Sequence, residues 1–522
     1  MTRFPENDRH GPGVGASRAE VGSAGVVRLP SVLLQIGVVT GVMAVLPLSR
    51  LVFYNEAKAV VLEIVGLGVA SLCLMRARTL AIDRTDLLFG LFLVVSIASS
   101  VFVASEKWEA LRATGLFLSG AATFWSSRYL GQHGRRQPLL HALTIAILLI
   151  AVTVLLEAFG IGLQHYHTGP AGTQSDRNAA GHLLAIGMPL LFLQSMDATR
   201  WRRFVGIFAL SLSAAALVLT RSRAGWLATL LGTVLPLMLL PAFSGYFKVT
   251  ALKLRCGYAL GALLVGGVLA ALIPTKLNWS AQAPYLESAK QLLVYNHGSG
   301  HARVQQYGRT LAMIEEHPLL GVGPGNWRIA YPSYLLRKLP PRVWYPQHPS
   351  SDWIDLAAGN GIVASILFFA TLGSLALGCW RTFATHSGTP PECESSLEAI
   401  CAIEVIVSTL IAATFDAVLQ FPAPAMVFFM AAGTLTGPEK TIVGLRLSRW
   451  IRAVGGLTFI ALAGLLTLYF CDRVYVDFLM VDATGGGSMQ AASRYALDGE
   501  WFYNEQVRLA IQQLNLMRAQ RR

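Results

Sequence analysis

The sequence is poor in charge. Only 14% of its 522 residues are Asp, Glu, Lys or Arg, against 54% hydrophobic residues and a mean hydropathy of +0.51. A water-soluble domain of this length needs more ionisable surface, so the balance excludes one and points to a chain that crosses a bilayer many times. Acids are scarcer still, 29 against 42 bases, for a formal net charge of +13. The excess lies in short loops between apolar runs, which is the positive-inside pattern and gives no reason to infer a nucleic-acid partner. The six cysteines (Cys73, Cys256, Cys379, Cys393, Cys401 and Cys471) have no CxxC spacing and no neighbouring histidine cluster, so no disulfide framework or metal site is legible. No internal repeat is visible either. Nor is there a matched pair of Gly/Pro-broken helices of the kind that marks an inverted-repeat transporter.

What is present is a series of apolar segments near the roughly 20 residues that a spanning helix needs. They fall near 31–49, 57–75, 86–103, 109–126, 138–159, 178–196, 203–220, 224–242, 257–274, 353–380, 397–418, 422–436 and 452–471, the run at 422–436 being short. The expected fold is an all-α transmembrane bundle of about 12–13 spans. Residues 1–30, Gly-rich and of mixed charge, read as a disordered cytoplasmic leader and 31–471 as the membrane domain. Arg76, Arg78 and Arg84 should share the cytoplasmic side with Arg128, Arg135 and Arg136, with Arg200, Arg202 and Arg203, with Lys248, Lys253 and Arg255, and with Lys440, Arg446 and Arg449. The opposite face then carries loop 160–177, the long connection 275–352 and a helical tail, 472–522. In the long connection, Val304, Tyr307, Leu311 and Ile314 stand at helical spacing, so an amphipathic helix resting on the bundle is expected, ending at His317-Pro318.

Three constellations could carry chemistry. In "LVLTRSRAGWLATLLG" (217–232), Arg221 and Arg223 sit in a very short outer loop where the charge rule disfavours arginine. The arginine fork is well shaped to hold a phosphate. The outer connection adds Arg303, Arg309, Arg328, Arg337, Lys338 and Arg342 against few acids, and its "GVGPGN" (321–326) reads as a turn, since it lacks the Lys-Ser/Thr of a phosphate-binding loop. In "YPQHPSSDWIDLAAGNG" (345–361), His348 has the chemistry of a base for a hydroxyl, and Asp352 is near enough in sequence to orient it. His165, His167, His297, His301 and His317 are also expected outside. "HYH" at 165–167 has no third metal ligand at a usual spacing. His141 and His182 fall within spans and are expected to be hydrogen-bonded inside the bundle.

Together "RNAAGHLLAIGMPLLF" (177–192), "TRSRAGWLATLLG" (220–232), "MIEEHPLLGVGPGNW" (313–327) and "HPSSDWIDLAAGNGIVA" (348–364) resemble, in that order, the O-antigen ligase and O-antigen polymerase superfamily over roughly residues 170–375. The resemblance implies a bacterial inner-membrane glycosyltransferase, without cofactor or required metal, that moves a glycan from an undecaprenyl-diphosphate carrier to an acceptor hydroxyl at the periplasmic face, with inversion. The acceptor would be lipid A-core or another lipid-linked glycan. By the same resemblance Arg221 and Arg223 match the diphosphate-binding pair, Arg303 or Arg309 the loop arginine, and His348 the base. The family's R-x-x-x-L pattern is imperfect at both loop arginines, where Tyr307 and Met313 replace leucine. In the ungapped register of the family's H-N-x-x-L, Ser350 takes the histidine's place and Gly359 that of the following glutamate, with His348 two residues upstream. A ligase, a polymerase and a protein-directed oligosaccharyltransferase all fit these motifs. From other classes, a lipid-linked oligosaccharide flippase should carry its cations near mid-bilayer, and a non-catalytic scaffold of an export complex would leave them without a reaction to serve.

Overall fold

The computed structural model describes residues 27–48, 51–162, 169–243, 252–277, 284–290, 298–335, 348–384, 390–437 and 440–483. It is an all-α bundle. The helices are α1 (Arg28–Met43), α2 (Asn55–Arg76), α3 (Arg84–Phe102), α4 (Lys107–Leu130), α5 (Arg136–Ala158), α6 (Arg177–Ser195), α7 (Arg200–Thr220), α8 (Arg223–Ala242) and α9 (Leu252–Leu272). They continue with α10 (Pro284–Lys290), α11 (Gly298–Glu316), α12 (Trp327–Leu335), α13 (Asp352–Ala384), α14 (Pro390–Phe415), α15 (Pro422–Leu435) and α16 (Arg449–Ala483). A helix occupies each apolar interval expected above. Among the described residues nine helices are long and apolar enough to cross a membrane. One of these, over Lys107–Ala158, joins α4 to α5 through a kink at His133 and Gly134 (φ 75°). Most of the expected tail lies outside the described residues.

Contacts sort the connections into two ends. At one, strand β1 (Thr79–Ile82) pairs antiparallel with β2 (Val443–Arg446), Arg128 donates to the Gly437 carbonyl, Arg136 meets Glu398 and Arg255 donates to the Met196 carbonyl. At the other, Lys58 bridges the carbonyls of Ala44 and Thr173, Glu157 accepts from the amides of Ala171 and Gly172, and Asn326 binds Ser105 and Glu106. The same loops were grouped on each side by charge alone.

Two helices form the centre. In α15 every residue is buried, and α6 is buried from Ala179 to Phe192. Fourteen residues rise only about 21 Å, short of a bilayer's roughly 30 Å hydrocarbon core. The expected span at 422–436 is therefore an interior helix, surrounded by protein, and needs no membrane length. Small residues permit the close approaches: Gly433 packs on the Phe124 backbone, Gly206 on Gln194 and Ser195, and Gly232 on Ser408.

The outer connection is fastened to a break in α13. Gly361 has φ 88° and ψ 168°, a conformation open essentially to glycine alone, and it interrupts the helical ladder. The groups so freed are paired by the "GVGPGN" turn: Val322 N–H donates to the Ala358 carbonyl, Gly323 N–H to that of Gly359, and Ile362 N–H to that of Pro318, at 2.8–2.9 Å. Ser99 of α3 donates to the carbonyls of Leu320 and Gly359 from beneath. The turn reading holds, and its purpose is to complete a broken helix. Helix α11 also ends at Glu316 as expected, but presents another face. Of the expected stripe Ile314 is buried, with Gln306, Thr310 and Met313 beside it, whereas Val304 and Leu311 are about half exposed. The polar residues win because they have partners inside: Gln306 binds the 348–350 backbone and Thr310 accepts from the Trp327 indole.

Replacing Gly361 by Ala would force a Cβ against the Leu319 carbonyl and add backbone strain of about 1–3 kcal/mol. Thermal unfolding in detergent should fall by several degrees. Gly373→Ala, in the same helix with nothing within 4 Å of the new Cβ, should hold or raise the Tm. Equal Tm values for the two variants would refute the pairing.

Candidate functional site

At the end that carries the outer connection, α7 stops at Thr220 and Arg221 takes a left-handed conformation (φ 53°, ψ 27°), the one described non-glycine residue with positive φ. Ser222 then caps α8 by accepting from Gly225 N–H. The turn fits closely onto α6 because Gly181 faces Ser222 and Gly225 faces the Gly181 carbonyl, where no Cβ could enter. Arg221 reaches α10 and donates to the Ser288 hydroxyl (2.8 Å). Burial pulls its guanidinium below the ordinary value, while Glu287 acts against that shift and half-buried Arg223 adds to it. Arg177, first residue of α6, lies within electrostatic reach of Arg221. Three arginines thus gather around one turn.

Beside them, α11, the segment 348–352 and the turn between α14 and α15 form a second cluster. Arg303 pairs with Asp416 (3.6 Å). Gln306 clasps the backbone at both His348 and Ser350, accepting from Ser350 N–H (2.9 Å) and donating to the His348 carbonyl (3.3 Å). Tyr307 donates to the Ser350 carbonyl (2.6 Å) and Ser351 to that of Ala413. The His348 ring sits edge-on to Phe421 at 5.5 Å, with Nδ1 turned to its neighbour's Pro349 carbonyl. Its Nε2 has no partner among the described residues.

Asp352 does not orient His348. One carboxylate oxygen accepts from the amides of Val418 (2.8 Å) and Leu419 (2.7 Å), two donors that the turn before α15 leaves without helical partners. The other oxygen, Oδ1, is buried without a partner among the described residues, and Asp352 is 5% exposed. It lines a cavity of about 40 Å³, together with Asp355, Arg112, Trp353, Asn360 and Gln420, whose buried Nε2 also lacks a partner among the described residues. That is room for about three waters and too little for a sugar ring. Next to it Glu109, 1% exposed, is held by Arg112, Arg328, Arg473 and the Tyr469 hydroxyl, tying α4 to α12 and α16.

Of the two candidate loop arginines, the geometry selects Arg303 for this cluster; Arg309 turns to Tyr331 inside the outer connection. Arg328 is committed to Glu109. Arg337, Lys338, Arg342, His165, His167 and His297 lie outside the described residues, and His301 and His317 are exposed. His182 is buried but departs from expectation: neither ring nitrogen has a hydrogen-bond partner among the described residues, and the charged groups near it are Asp416, Asp176 and Arg303. It stands between the two arginine clusters. His141 is also without the expected hydrogen bond among the described residues; it lies half-buried at the other end, near Arg202 and Asp197. Asp416, Gln306, Arg177 and Ser288 carried no sequence signal, being single polar residues whose partners lie far along the chain.

Compared with protein families, residues 208–369 match the family described as O-antigen ligase. This interval runs from α7 through the arginine turn and the outer connection to the start of α13, and so contains both clusters except for Arg177, His182 and Asp416. No curated protein matches the chain significantly.

Gln306→Leu should free the 348–350 segment while leaving the bundle intact. The loss of about 1–1.5 kcal/mol for the amide bond corresponds to roughly tenfold faster hydrogen exchange at Ser350. Unchanged protection there would show that Gln306 does not hold the segment.

Proposed function

Starting from a chain of the O-antigen ligase superfamily, whose function is of the ligase or polymerase type, we propose that this protein moves a glycan from an undecaprenyl-diphosphate carrier to a hydroxyl of lipid A-core or a similar acceptor. The reaction would take place in the bacterial inner membrane, at the end of the bundle bearing residues 348–352, facing the periplasm. The observation that carries the proposal is Arg221. A left-handed arginine costs about 1–2 kcal/mol that glycine would not, and burial opposes its charge, yet an arginine stands there with Arg177 and Arg223 beside it. A diphosphate at that turn would find forked donors for its oxygens.

The roles follow from the positions. Arg221 and Arg223 hold the diphosphate and Arg303 faces it from α11. As the bond between the anomeric carbon and the phosphate oxygen breaks, its electron pair moves to the diphosphate, where these cations stabilise it. The acceptor hydroxyl attacks the anomeric carbon from the opposite side, inverting it, and gives its proton to His348 Nε2. Asp352 and Asp355 would hold water or a hydroxyl in the small cavity near that base, with no direct hand on the imidazole. Gathering of these cations at the bundle's end, rather than at its middle, supports transfer over flipping of the lipid.

Arg221→Gly relieves the backbone cost, so the variant should unfold at the wild-type temperature or above and yet lose about 10²–10³-fold in transfer. His348→Ala should lose about 10²–10⁴-fold. The assay supplies purified protein with a defined undecaprenyl-diphosphate glycan and lipid A-core. Wild-type turnover by both variants would sink the proposal, and extension of a second carrier-linked repeat instead of lipid A-core would reassign the enzyme as a polymerase.

A further inference from the structure

The far end of the bundle contains a larger cavity than the candidate site. About 760 Å³ is lined by α3, α4, α5, α13, α14 and residues 435–437 and 440–442. Its rim carries Arg84, Arg128, Arg136, Arg381 and Lys440, with Glu398 as the one acid among the lining residues. Its floor is apolar, formed by Leu375, Cys379, Ala399 and Leu435. Arg136 pairs with Glu398, and Arg128 with Asp83 and with Asp86 (3.0 Å). The buried Nε–H groups of Arg128 and Arg136 have no acceptor among the described residues.

Arginines that serve only to orient a membrane chain do so equally well on outward-facing loops. Here they come from four helices and converge on a concave space of the size of a small-molecule site. An apolar floor under a cationic rim is the arrangement in which basic pockets between membrane helices receive anionic headgroups, and the guanidinium fork prefers phosphate. We propose that this cavity binds a phosphate-bearing ligand, independently of the glycan site at the other end. Its phosphate lies among Arg84, Arg381 and Lys440, and its apolar part lies over Leu375 and Leu435. The phosphate belongs either to an anionic phospholipid or to a soluble compound.

The test uses the full chain in detergent micelles. Native mass spectrometry compares retention of phosphatidylglycerol with phosphatidylcholine of the same acyl chains, and thermal shift reads inorganic pyrophosphate. The variants are Arg84→Gln/Arg381→Gln/Lys440→Gln, and Leu375→Trp, which fills the floor and leaves the rim. Selective retention of phosphatidylglycerol, weakened on the order of 100-fold by loss of three charges and also reduced by Leu375→Trp, establishes a lipid site. Pyrophosphate stabilisation lost in the triple variant, without preference between the lipids, establishes a soluble phosphate ligand. If neither probe distinguishes wild type from both variants, the cavity holds no such ligand and the proposal is overturned.

Discussion

Three backbone hydrogen bonds decide where the outer connection of this protein sits. A helix broken near the edge of a bilayer exposes carbonyls and amides that lipid cannot satisfy, and such breaks persist only where protein or water completes them. Here the break at Gly361 is completed by the turn of Gly321, Val322 and Gly323. The first residues of α13 are thereby set at an angle to the rest of the helix. That short piece carries Asp352 and Asp355 and delivers residues 348–351 to Gln306 and Tyr307. Without the break, the same residues would lie along a straight span.

Ionisable groups at this end form one series across the bundle, in which Asp355, Asp352 and Asp416 are adjacent acids. Arg473 and Arg328 face Glu109, Glu109 faces Arg112, and Arg112 is the cation nearest in effect to Asp355. Asp352 and Asp416 follow, then Arg303. Removing one partner of a buried pair is far costlier than its net contribution, commonly about 3–5 kcal/mol, because the other is left uncompensated. The chain of charges therefore works less as glue than as a fixed register between α4, α11, α13, α16 and the turn before α15. It also keeps Arg303 facing inward at the end of a long loop.

Much of this was legible before any coordinates. Helix positions follow from apolar length, and the grouping of loops from arginine placement, which the β1–β2 pairing reproduces. Arg221 and Arg223 stood out because arginine at an outer junction needs a reason, though nothing in "LTRSRAG" announces a left-handed residue. Other features had no such signal. Lipid-facing and protein-facing helices share one apolar composition, so α15 could not be told from a span. The buried face of α11 includes Gln306 and Thr310 because they have partners in segments that contact it only after folding. Asp352 looked like a neighbour of His348 at a spacing of four, but two amides more than sixty residues away hold it more firmly. His182, expected to be bonded, is buried beside charges instead.

The complete enclosure of α15 has a consequence for how the chain is made. Its surroundings are α4, α14, α6, α2 and α5, all earlier in the sequence. A segment of fourteen residues enclosed on all sides cannot settle in lipid first and find its partners later, because lipid offers it neither the length nor the contacts. The preceding helices must already be standing when it leaves the ribosome, loosely enough to admit it. Its arrival therefore fills a prepared slot, before α16 is added: a chain that stopped short of about residue 435 would be inserted in the membrane but hollow.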